Sequence, residues 1–376
     1  MTALVIIVIA LVAFILYLLF NPRKKKTFDH QPYLEALVAL LENNDDLAMK
    51  KFKEAVGIDS NLVDAYIKLG TLYRKKGDTS RAIQIHQSLT VRPTLRKEDE
   101  KKVYYALIDD YMAGNRPNKA VSFLKEIIKI DRNEHRARNL LLNIYEDLEN
   151  YADCITTYEE ASPEFRNDHR RAFYYAAMGN SKLKEITEDQ QENEKEAVNL
   201  FKKALKIMSD SLASLYYMAE YSKNTGDLKK VREYYLKILN RYPDFTFLVQ
   251  YGLEKTMYDL GSFDEIIPIY DKIFRQNPRN FSVGFALASL YEKKNELESA
   301  KEIYRKIGEI FPRSILPKIR ILRLITDDKH LKKEFSDIDK TLSEHRYRCR
   351  SCNYETNKFT FLCPKCHALE SFLLYL

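Results

Sequence analysis

Residues 65–89 read AYIKLGTLYRKKGDTSRAIQIHQSL, and the fold of the chain follows from this stretch. Two amphipathic helical patterns flank Gly77 and Asp78, a pair that is typical of a tight turn. In the second pattern, Ala82 is followed one turn later by His86. A small residue at a crossing lets two antiparallel helices approach closely, and a larger ring one turn later fills the gap toward the next element. The stretch therefore predicts a pair of packed helices.

This small-then-large pattern recurs at a fixed interval. Ala48 and Phe52 precede Ala82 and His86 by 34 residues. Later sets continue the series: Ala120 and Leu124, Cys154 and Tyr158, Ala197 and Phe201, Val231 and Tyr235, Ile266 and Tyr270, and Ala300 and Tyr304. A period of about 34 residues is that of the tetratricopeptide repeat, in which helix pairs stack in series. We predict an all-α tetratricopeptide superhelical solenoid of about eight repeats over residues 31–313.

Two insertions interrupt the period, around residues 94–99 and 185–194. The second is polar, and we interpret it as an exposed loop between the helices of repeat five. After the repeats, apolar patterns from Ile315 to Ile325 and from Leu331 to Leu342 predict one more helical pair. We expect the segment 314–345 to cap the array.

The first residues carry the pattern of a membrane span. Residues 3–20, ALVIIVIALVAFILYLLF, contain no charge and would reach about 27 Å as a helix, enough to cross a bilayer. A cleaved signal peptide is the alternative, but its positive charge precedes the apolar run, whereas here the cations at 23–26 follow it. The positive-inside rule then places the rest of the chain in the cytoplasm. We predict a retained transmembrane anchor at 1–21 and a basic juxtamembrane linker at 22–30.

Four of the five cysteines are crowded near the other end of the sequence. Two CxxC pairs, Cys349 with Cys352 and Cys363 with Cys366, are separated by ten residues. Two such knuckles present four thiolates in the tetrahedral arrangement that Zn²⁺ accepts, and the ion supplies the folding energy of so small a domain. We predict a structural zinc site. Iron is the alternative ion, and it would permit electron transfer.

The segment that contains this site, residues 346–376, is predicted to be a small ribbon domain. A short hairpin from Tyr354 to Phe361, with alternating aromatic residues, would cover its core. His367 could replace a cysteine ligand, but with four thiolates available we interpret it as a surface residue. The ribbon's cations offer contact either with nucleic acid or with acidic side chains of the neighbouring helices: Arg346, Arg348, Arg350 and Lys365.

Composition favours helices and excludes several classes of function. Of the 376 residues, 45% are apolar, enough for a sizeable core, and only 10 are Gly and 11 Pro. The net charge of +7 is spread along the chain, so a general affinity for nucleic acid is not indicated. The chain carries no phosphate-binding loop, nucleophile elbow or zinc-protease helix. His86 and the lone Cys154 occupy packing positions of the repeats, so we expect a core histidine, a buried inert thiol and no enzyme activity.

The first helices of stacked tetratricopeptide repeats line a concave face, which holds a partner's peptide or helix. Residues of these helices that the helical phase directs away from the second helices are candidates for contact with that partner. The predicted groove residues are Arg74, Lys75, Tyr105, Asp109, Met112, Asn139, Asn143, Tyr216, Glu220, Phe285 and Ser289.

The order of apolar span, basic stop, repeat array and CxxC…CPxC tail resembles the lipopolysaccharide assembly protein B family of Gram-negative inner membranes. The likeness covers nearly the whole chain. It is closest at residues 69–74 (LGTLYR), 81–87 (RAIQIHQ) and 110–114 (DYMAG), and in the two cysteine knuckles. The chain departs from the family at Phe361 and Leu369, where the ribbon usually carries Trp, and in the polar insertion of repeat five.

The resemblance implies a single-pass protein of the bacterial inner membrane whose bulk faces the cytoplasm. It implies an adaptor that presents the deacetylase committing carbon to lipid A to a membrane-bound AAA+ metalloprotease, and so couples lipopolysaccharide output to proteolysis. It also implies a rubredoxin-like ribbon that packs against the repeats. Two alternative functions remain: a general scaffold for another membrane assembly, and a redox or nucleic-acid module that uses the ribbon.

Overall fold

The computed structural model describes residue 14 and residues 30–93, 95–185, 190–342 and 347–374. Apart from Phe14 and His30, the predicted anchor and basic linker lie outside the described residues. Within the described part of the chain, no helix combines the length and the apolar character needed to cross a membrane. The chain divides into two compact units, Met1–Ala137 and Arg138–Leu376.

The first unit is built from paired helices. They are α1 (Gln31–Leu41), α2 (Asp45–Ile58), α3 (Val63–Lys75), α4 (Thr79–Thr90), α5 (Lys97–Ala113) and α6 (Pro117–Ile130). Each odd-numbered helix packs on the helix that follows it. Between α3 and α4, Gly77 has a φ of +83°, which side chains disfavour, and the Asp78 carboxylate caps α4 by accepting from the N–H of Arg81. The predicted turn is therefore present.

A buried polar cluster explains why glycine follows Leu69 in the stretch 65–89. His86 is fully buried, as predicted for a core histidine, and its ring lies against Gly70, where an added Cβ would come within 2.3 Å of Nε2. Nδ1 of His86 lies 2.5 Å from Oδ2 of Asp110, and Nε2 lies 3.0 Å from the carbonyl oxygen of Ile67. Arg74 donates to the same Asp110 at 2.7 Å. Glycine is required at position 70 because the ring is held in place on both sides.

The second unit continues the succession of pairs. Helix α7 (His135–Asp147) crosses the boundary between the units and is followed by α8 (Tyr151–Glu159), α9 (Asp168–Lys184), α10 (Gln190–Ile207), α11 (Leu212–Asn224), α12 (Leu228–Arg241), α13 (Thr246–Asp259), α14 (Ile266–Gln276), α15 (Phe281–Lys293), α16 (Leu297–Ile310), α17 (Leu316–Ile325) and α18 (Lys329–Leu342). In this unit α9 packs on α10, α11 on α12 and α15 on α16, and α17 and α18 pack on each other where the capping helices were predicted. The all-helical tetratricopeptide array is confirmed.

The predicted loop of repeat five is partly wrong. Helix α10 begins at Gln190, so the second half of the segment 185–194 is helical, and Asn193 is buried. Residues 186–189 lie outside the described part. The sequence from Gln190 is rich in Gln, Glu and Lys, which are good helix formers, and it extends the helix that follows. The earlier insertion behaves similarly, since α5 already begins at Lys97.

The ribbon contains three short antiparallel strands, β1 (Tyr347–Cys349), β2 (Glu355–Thr356) and β3 (Phe372–Leu374), in the order β2-β1-β3. The predicted hairpin from Tyr354 to Phe361 is wrong. Strand β2 pairs back onto β1, while the aromatic residues that follow it pack against the repeats and do not form a second strand with it.

Candidate metal centre and its contact with the repeats

The four cysteine sulfurs converge on one point. All four Sγ atoms lie within 4.8 Å of one another. Cys349 and Cys366 are 3.7 Å apart, and so are Cys352 and Cys363. A tetrahedral ion with bonds of about 2.3 Å to sulfur requires sulfur–sulfur distances of roughly 3.8 Å. The predicted ligands therefore fit a four-thiolate metal site.

Two equivalent backbone turns build this site. In the first knuckle the N–H of Asn353 donates to the carbonyl of Cys349 at 3.0 Å, and in the second the N–H of His367 donates to that of Cys363 at 2.9 Å. Asn353 and His367 have φ values of +57° and +56°. This left-handed conformation suits Asn but disfavours His, so His367 is held there by its surroundings.

The local electrostatics favour a bound cation. Burial raises the pKa of Cys349, but hydrogen bonds from the hydroxyl of Ser371 and from the backbone N–H groups of Cys352 and Ser351 outweigh burial and lower that pKa to about 6. Burial raises the pKa of Cys366 to about 12, and the neighbouring thiols act in the same direction. Negative sulfurs this close repel one another unless a cation lies between them. The donor set is thus suited to a metal ion.

Aromatic rings join the ribbon to the first helices of the repeats. The ring of Phe361 meets the rings of Tyr216 and Tyr217 on α11 edge-on, with centroids 5.9 and 5.5 Å apart. Phe359 contacts Phe247 on α13 in the same manner at 5.7 Å. The aromatic residues also cover the ribbon's own core, as predicted, since the rings of Phe359 and Tyr347 have centroids 5.6 Å apart. Phe359 therefore lies between the ribbon's core and the face of the repeats. Tyr216, a predicted groove residue, is therefore in contact with the ribbon.

A buried carboxylate lies at the centre of the polar contact. The side chain of Glu146 on α7 is fully buried, and it accepts hydrogen bonds from Arg170 and from the hydroxyl of Tyr174, the latter at 2.5 Å. Nδ1 of His367 lies 2.7 Å from its other oxygen. Arg170 also donates to the carbonyl of His367. The prediction that His367 is a surface residue is wrong: its side chain is only 13% exposed and joins the ribbon to the repeats.

Two further pairs complete the polar contact. Nε2 of His169 on α9 lies 2.9 Å from Oε2 of Glu370, and this hydrogen bond raises the pKa of His169. Arg350 donates to Asp244 at 2.5 Å. This ribbon cation therefore contacts an acidic side chain of the repeats, the second of the two alternatives given for it above. The ribbon's other described cations behave differently, because Arg348 pairs within the ribbon and Lys365 is exposed. Arg346 lies outside the described residues.

An open cleft of about 700 Å³ runs between the ribbon and the first helices of the second unit. Its lining includes eight aromatic residues: Tyr151, Phe173, Tyr216, Tyr217, Phe247, Tyr347, Phe359 and Phe361. Asp147 and Glu149 form an acidic rim, and Lys184 and Lys358 also line it. Such a cleft is suited to large apolar side chains of another protein.

The remaining groove residues lie in varied surroundings, and their contact with a partner stays a prediction. In the first unit, Arg74 pairs with Asp109 and Asp110, Lys75 pairs with Asp45, Tyr105 carries the guanidinium of Arg136 over its ring, and Met112 is exposed. In the second unit, Asn139 is exposed, Asn143 and Ser289 are half-buried, Glu220 accepts from Tyr235, and Phe285 stacks on Phe281.

Sequence reasoning missed Glu146, Arg170, His169 and Glu370. One signal was available, because Glu146 follows Leu142 by four residues and therefore lies on the apolar face of its helix. A charge in such a position is buried only with a partner. Its partner His367 lies 221 residues away in the sequence, so the pairing itself could not be inferred. The lone Cys154 is buried, as predicted, and burial raises its pKa.

Comparison with known proteins gives family matches within the repeats and relatives that match about nine-tenths of the chain. The tetratricopeptide repeat family matches residues 65–99 and 285–313. Lipopolysaccharide assembly protein B of Escherichia coli strain K12 is 23% identical over 347 residues, 89% of this chain and 87% of that protein. The protein of the same name from Haemophilus influenzae is 24% identical over 361 residues, 90% of this chain and 88% of that protein.

Among solved structures, the chain is similar to YrrB, described as a TPR protein with an unusual peptide-binding site. The two are 18% identical with a TM-score of 0.34, over 52% of this chain and 94% of that one. The resemblance inferred from the sequence is thus confirmed by relatives that match nearly the whole chain.

Proposed function

From its similarity to the lipopolysaccharide assembly proteins B, we propose that this chain is a protein-binding adaptor and not an enzyme. The observation that carries the proposal is the aromatic cleft of about 700 Å³ between the ribbon and the repeats. Rigid aromatic walls supply a large contact area at low entropic cost, which is typical of surfaces that bind proteins. The acidic rim at Asp147 and Glu149 favours a partner segment with basic residues beside its apolar ones.

The metal in this proposal is Zn²⁺ with a structural role. Cys349, Cys352, Cys363 and Cys366 would hold it, and the ion would supply folding energy to the ribbon. The two knuckles fix the segment between them, which presents Phe359 and Phe361 to the repeats. The cleft therefore exists only while the ribbon is folded. Metal analysis of the purified protein distinguishes zinc from a red, iron-loaded and redox-active form.

The partners in this proposal follow the family resemblance. The chain would be anchored in the bacterial inner membrane by one helix, with its bulk in the cytoplasm. There it would present the lipid A pathway deacetylase to a membrane-bound AAA+ metalloprotease and so limit lipopolysaccharide synthesis. The relatives match 89–90% of this chain and 87–88% of their own lengths, and this supports a common role.

The test is the half-life of the deacetylase in cells depleted of this protein. We expect the half-life to lengthen, and to shorten again when the wild-type chain is restored. A variant with Asp147→Lys and Glu149→Lys should restore it poorly, because the rim of the cleft changes sign. Asp259→Lys, an exposed acid outside the cleft, is the matched control.

An unchanged half-life on depletion would remove the deacetylase as the partner. Capture of the full chain from detergent extracts then separates the remaining alternatives. A reproducible set of other membrane proteins would favour the general scaffold.

A further inference from the structure

A second cavity of about 540 Å³ lies apart from the aromatic cleft. The start of α15, the turn after α16 and strand β3 of the ribbon form it. Its apolar wall consists of Phe281, Phe311, Pro312, Leu373 and Leu374. The adaptor function proposed above makes no use of this cavity.

The charged groups around this cavity are predominantly positive. Arg279 and Arg313 are exposed at its edge, and neither has an ion-pair partner among the described residues. Among the lining residues described, the one acid is Asp244, and its carboxylate already has two partners. Arg350 donates to it at 2.5 Å, and the side-chain amide of Asn280 donates to it at 2.7 Å. The cavity therefore has two cations available for an anion.

The start of α15 adds to this positive potential. The helix has 13 residues, and Asn280 caps it by accepting from the N–H of Val283 at 2.9 Å. Its first two residues, Phe281 and Ser282, line the cavity. Backbone N–H groups in the first turn of a helix have no partner within the helix, and they attract negative groups.

Ser314 gives an independent indication of a ligand. It lines the cavity and is only 8% exposed. Its Oγ is buried and has no hydrogen-bond partner in the described part of the chain. A buried hydroxyl without a partner costs free energy, so such groups usually meet a ligand or water. An acceptor placed between Arg279 and Arg313 is of the chemical type that this hydroxyl would bind.

Strand β3 supplies a backbone edge beside the cavity. It lies at the end of the sheet and, within the described part of the chain, pairs with β1 alone. An extended chain can add to such an edge through main-chain hydrogen bonds. Leu373 and Leu374 of this strand also form part of the apolar wall, so one extended segment can use the edge and the cavity together.

We propose that this cavity binds an extended segment of a partner protein that carries a carboxylate side chain next to an apolar one. The carboxylate accepts hydrogen bonds from Arg279, Arg313 and Ser314. The apolar side chain packs against the wall formed by Phe281 and Phe311. The inference rests on the proposed function only in taking the partner to be a protein. The free charges of this cavity are the cations Arg279 and Arg313, whereas the aromatic cleft carries Asp147 and Glu149 on its rim, so the two sites select different segments.

The experiment is selection of a phage-displayed random peptide library on the full chain in lipid nanodiscs. Selected sequences should be enriched in Glu or Asp beside a large apolar residue. For the strongest synthetic peptide, fluorescence anisotropy should show at least about a tenfold loss of affinity when its Glu is replaced by Gln, as for removal of a charge-assisted contact. Arg279→Gln with Arg313→Gln should cause a similar loss.

Two variants make the result specific. Lys272→Gln with Arg305→Gln removes the same charge from exposed positions outside the cavity and should leave affinity unchanged. Ser314→Ala should weaken binding several-fold while the melting temperature stays level or rises, because an unpaired buried hydroxyl is removed.

Several results would overturn the inference. One is a selected library without enrichment in acidic residues, and another is equal affinity of the Glu and Gln peptides. The third is displacement of the peptide by inorganic phosphate at a concentration similar to that of the peptide, which would indicate a simple anion site. The deacetylase half-life on depletion is measured separately, so each proposal can fail without the other.

Discussion

The repeats and the ribbon are stabilised in different ways. The repeats bury a pair of apolar residues one helical turn apart in their second helices, as with Ala48 and Phe52 or Ala300 and Tyr304. The buried core of the ribbon is Tyr347, Cys349, Cys363 and Phe372, and two of these four are candidate metal ligands. We therefore expect the repeats to fold by apolar burial, and the ribbon to depend on an ion and on aromatic surface that the repeats provide.

Loss of one metal ligand should have the largest effect and should separate the two regions. We expect Cys363→Ser to abolish stoichiometric metal binding and unfold the ribbon, because structural zinc supplies about 10 kcal/mol or more of folding free energy. Helical circular dichroism should stay close to wild type, while limited proteolysis should remove the ribbon. Cys154→Ala is the matched control, since that thiol is buried in a repeat and should leave metal content unchanged. Full metal content in Cys363→Ser would contradict this assignment.

Removing the buried carboxylate should weaken the contact between the regions without removing the metal. We expect Glu146→Gln to destabilise the second unit by about 3 kcal/mol, because Arg170 loses its buried partner. Urea denaturation and metal analysis on the same sample measure both quantities. Asp147→Asn, next along the helix and 54% exposed, should cost less than about 1 kcal/mol. Equal effects of the two changes would show that burial of Glu146 is unimportant.

A glycine inside a repeat tests packing far from the ribbon. Gly70→Ala should destabilise the first unit by about 2 kcal/mol, because the new Cβ would lie 2.3 Å from a ring that two hydrogen bonds hold in place. Gly57→Ala meets no atom within 4 Å and should stabilise its helix by up to about 0.5 kcal/mol. Thermal denaturation of the two variants should therefore shift in opposite directions, while metal content stays the same in both.

The smallest expected effect is a pH dependence of the contact between ribbon and repeats. The hydrogen bond with Glu370 raises the pKa of His169. The pair therefore stabilises the contact fully at pH values below the ordinary pKa of histidine, and this stabilisation is lost as pH rises through the raised pKa. The side chain of His169 is 38% exposed, so solvent screening should keep the contribution under about 1 kcal/mol. Proteolytic release of the ribbon should become slightly faster above neutral pH, and His169→Gln should remove that dependence.

The parts of the fold that repeat in the sequence were predictable from it. The interval between Ala48 and Ala82 identified the helix pairs, because each pair must present the same surface to the next. The CxxC spacing predicted which sulfurs converge, because cysteine pairs this close in sequence form the knuckles of four-thiolate sites. His86 and Cys154 were placed correctly in the core for the same reason: they occupy positions that the period defines.

The contact between ribbon and repeats was not predictable. Glu146 and His367 belong to different regions, and no local pattern links two side chains that far apart in the sequence. The aromatic residues Phe359 and Phe361 suggested a hairpin because alternation is also the pattern of a strand. Their use as a docking surface depended on Tyr217 and Phe247, whose position relative to the ribbon only the folded chain defines.

Hydrogen–deuterium exchange of the full chain before and after chelation of its metal tests the difference between the two regions most directly. We expect residues 347–374 to lose protection completely and α1 to α6 to stay unchanged. Helices α7, α9, α11 and α13 should lose a little protection where the ribbon contacts them. Loss of protection throughout the repeats in step with the ribbon, or a ribbon that stays protected without metal, would contradict this expectation.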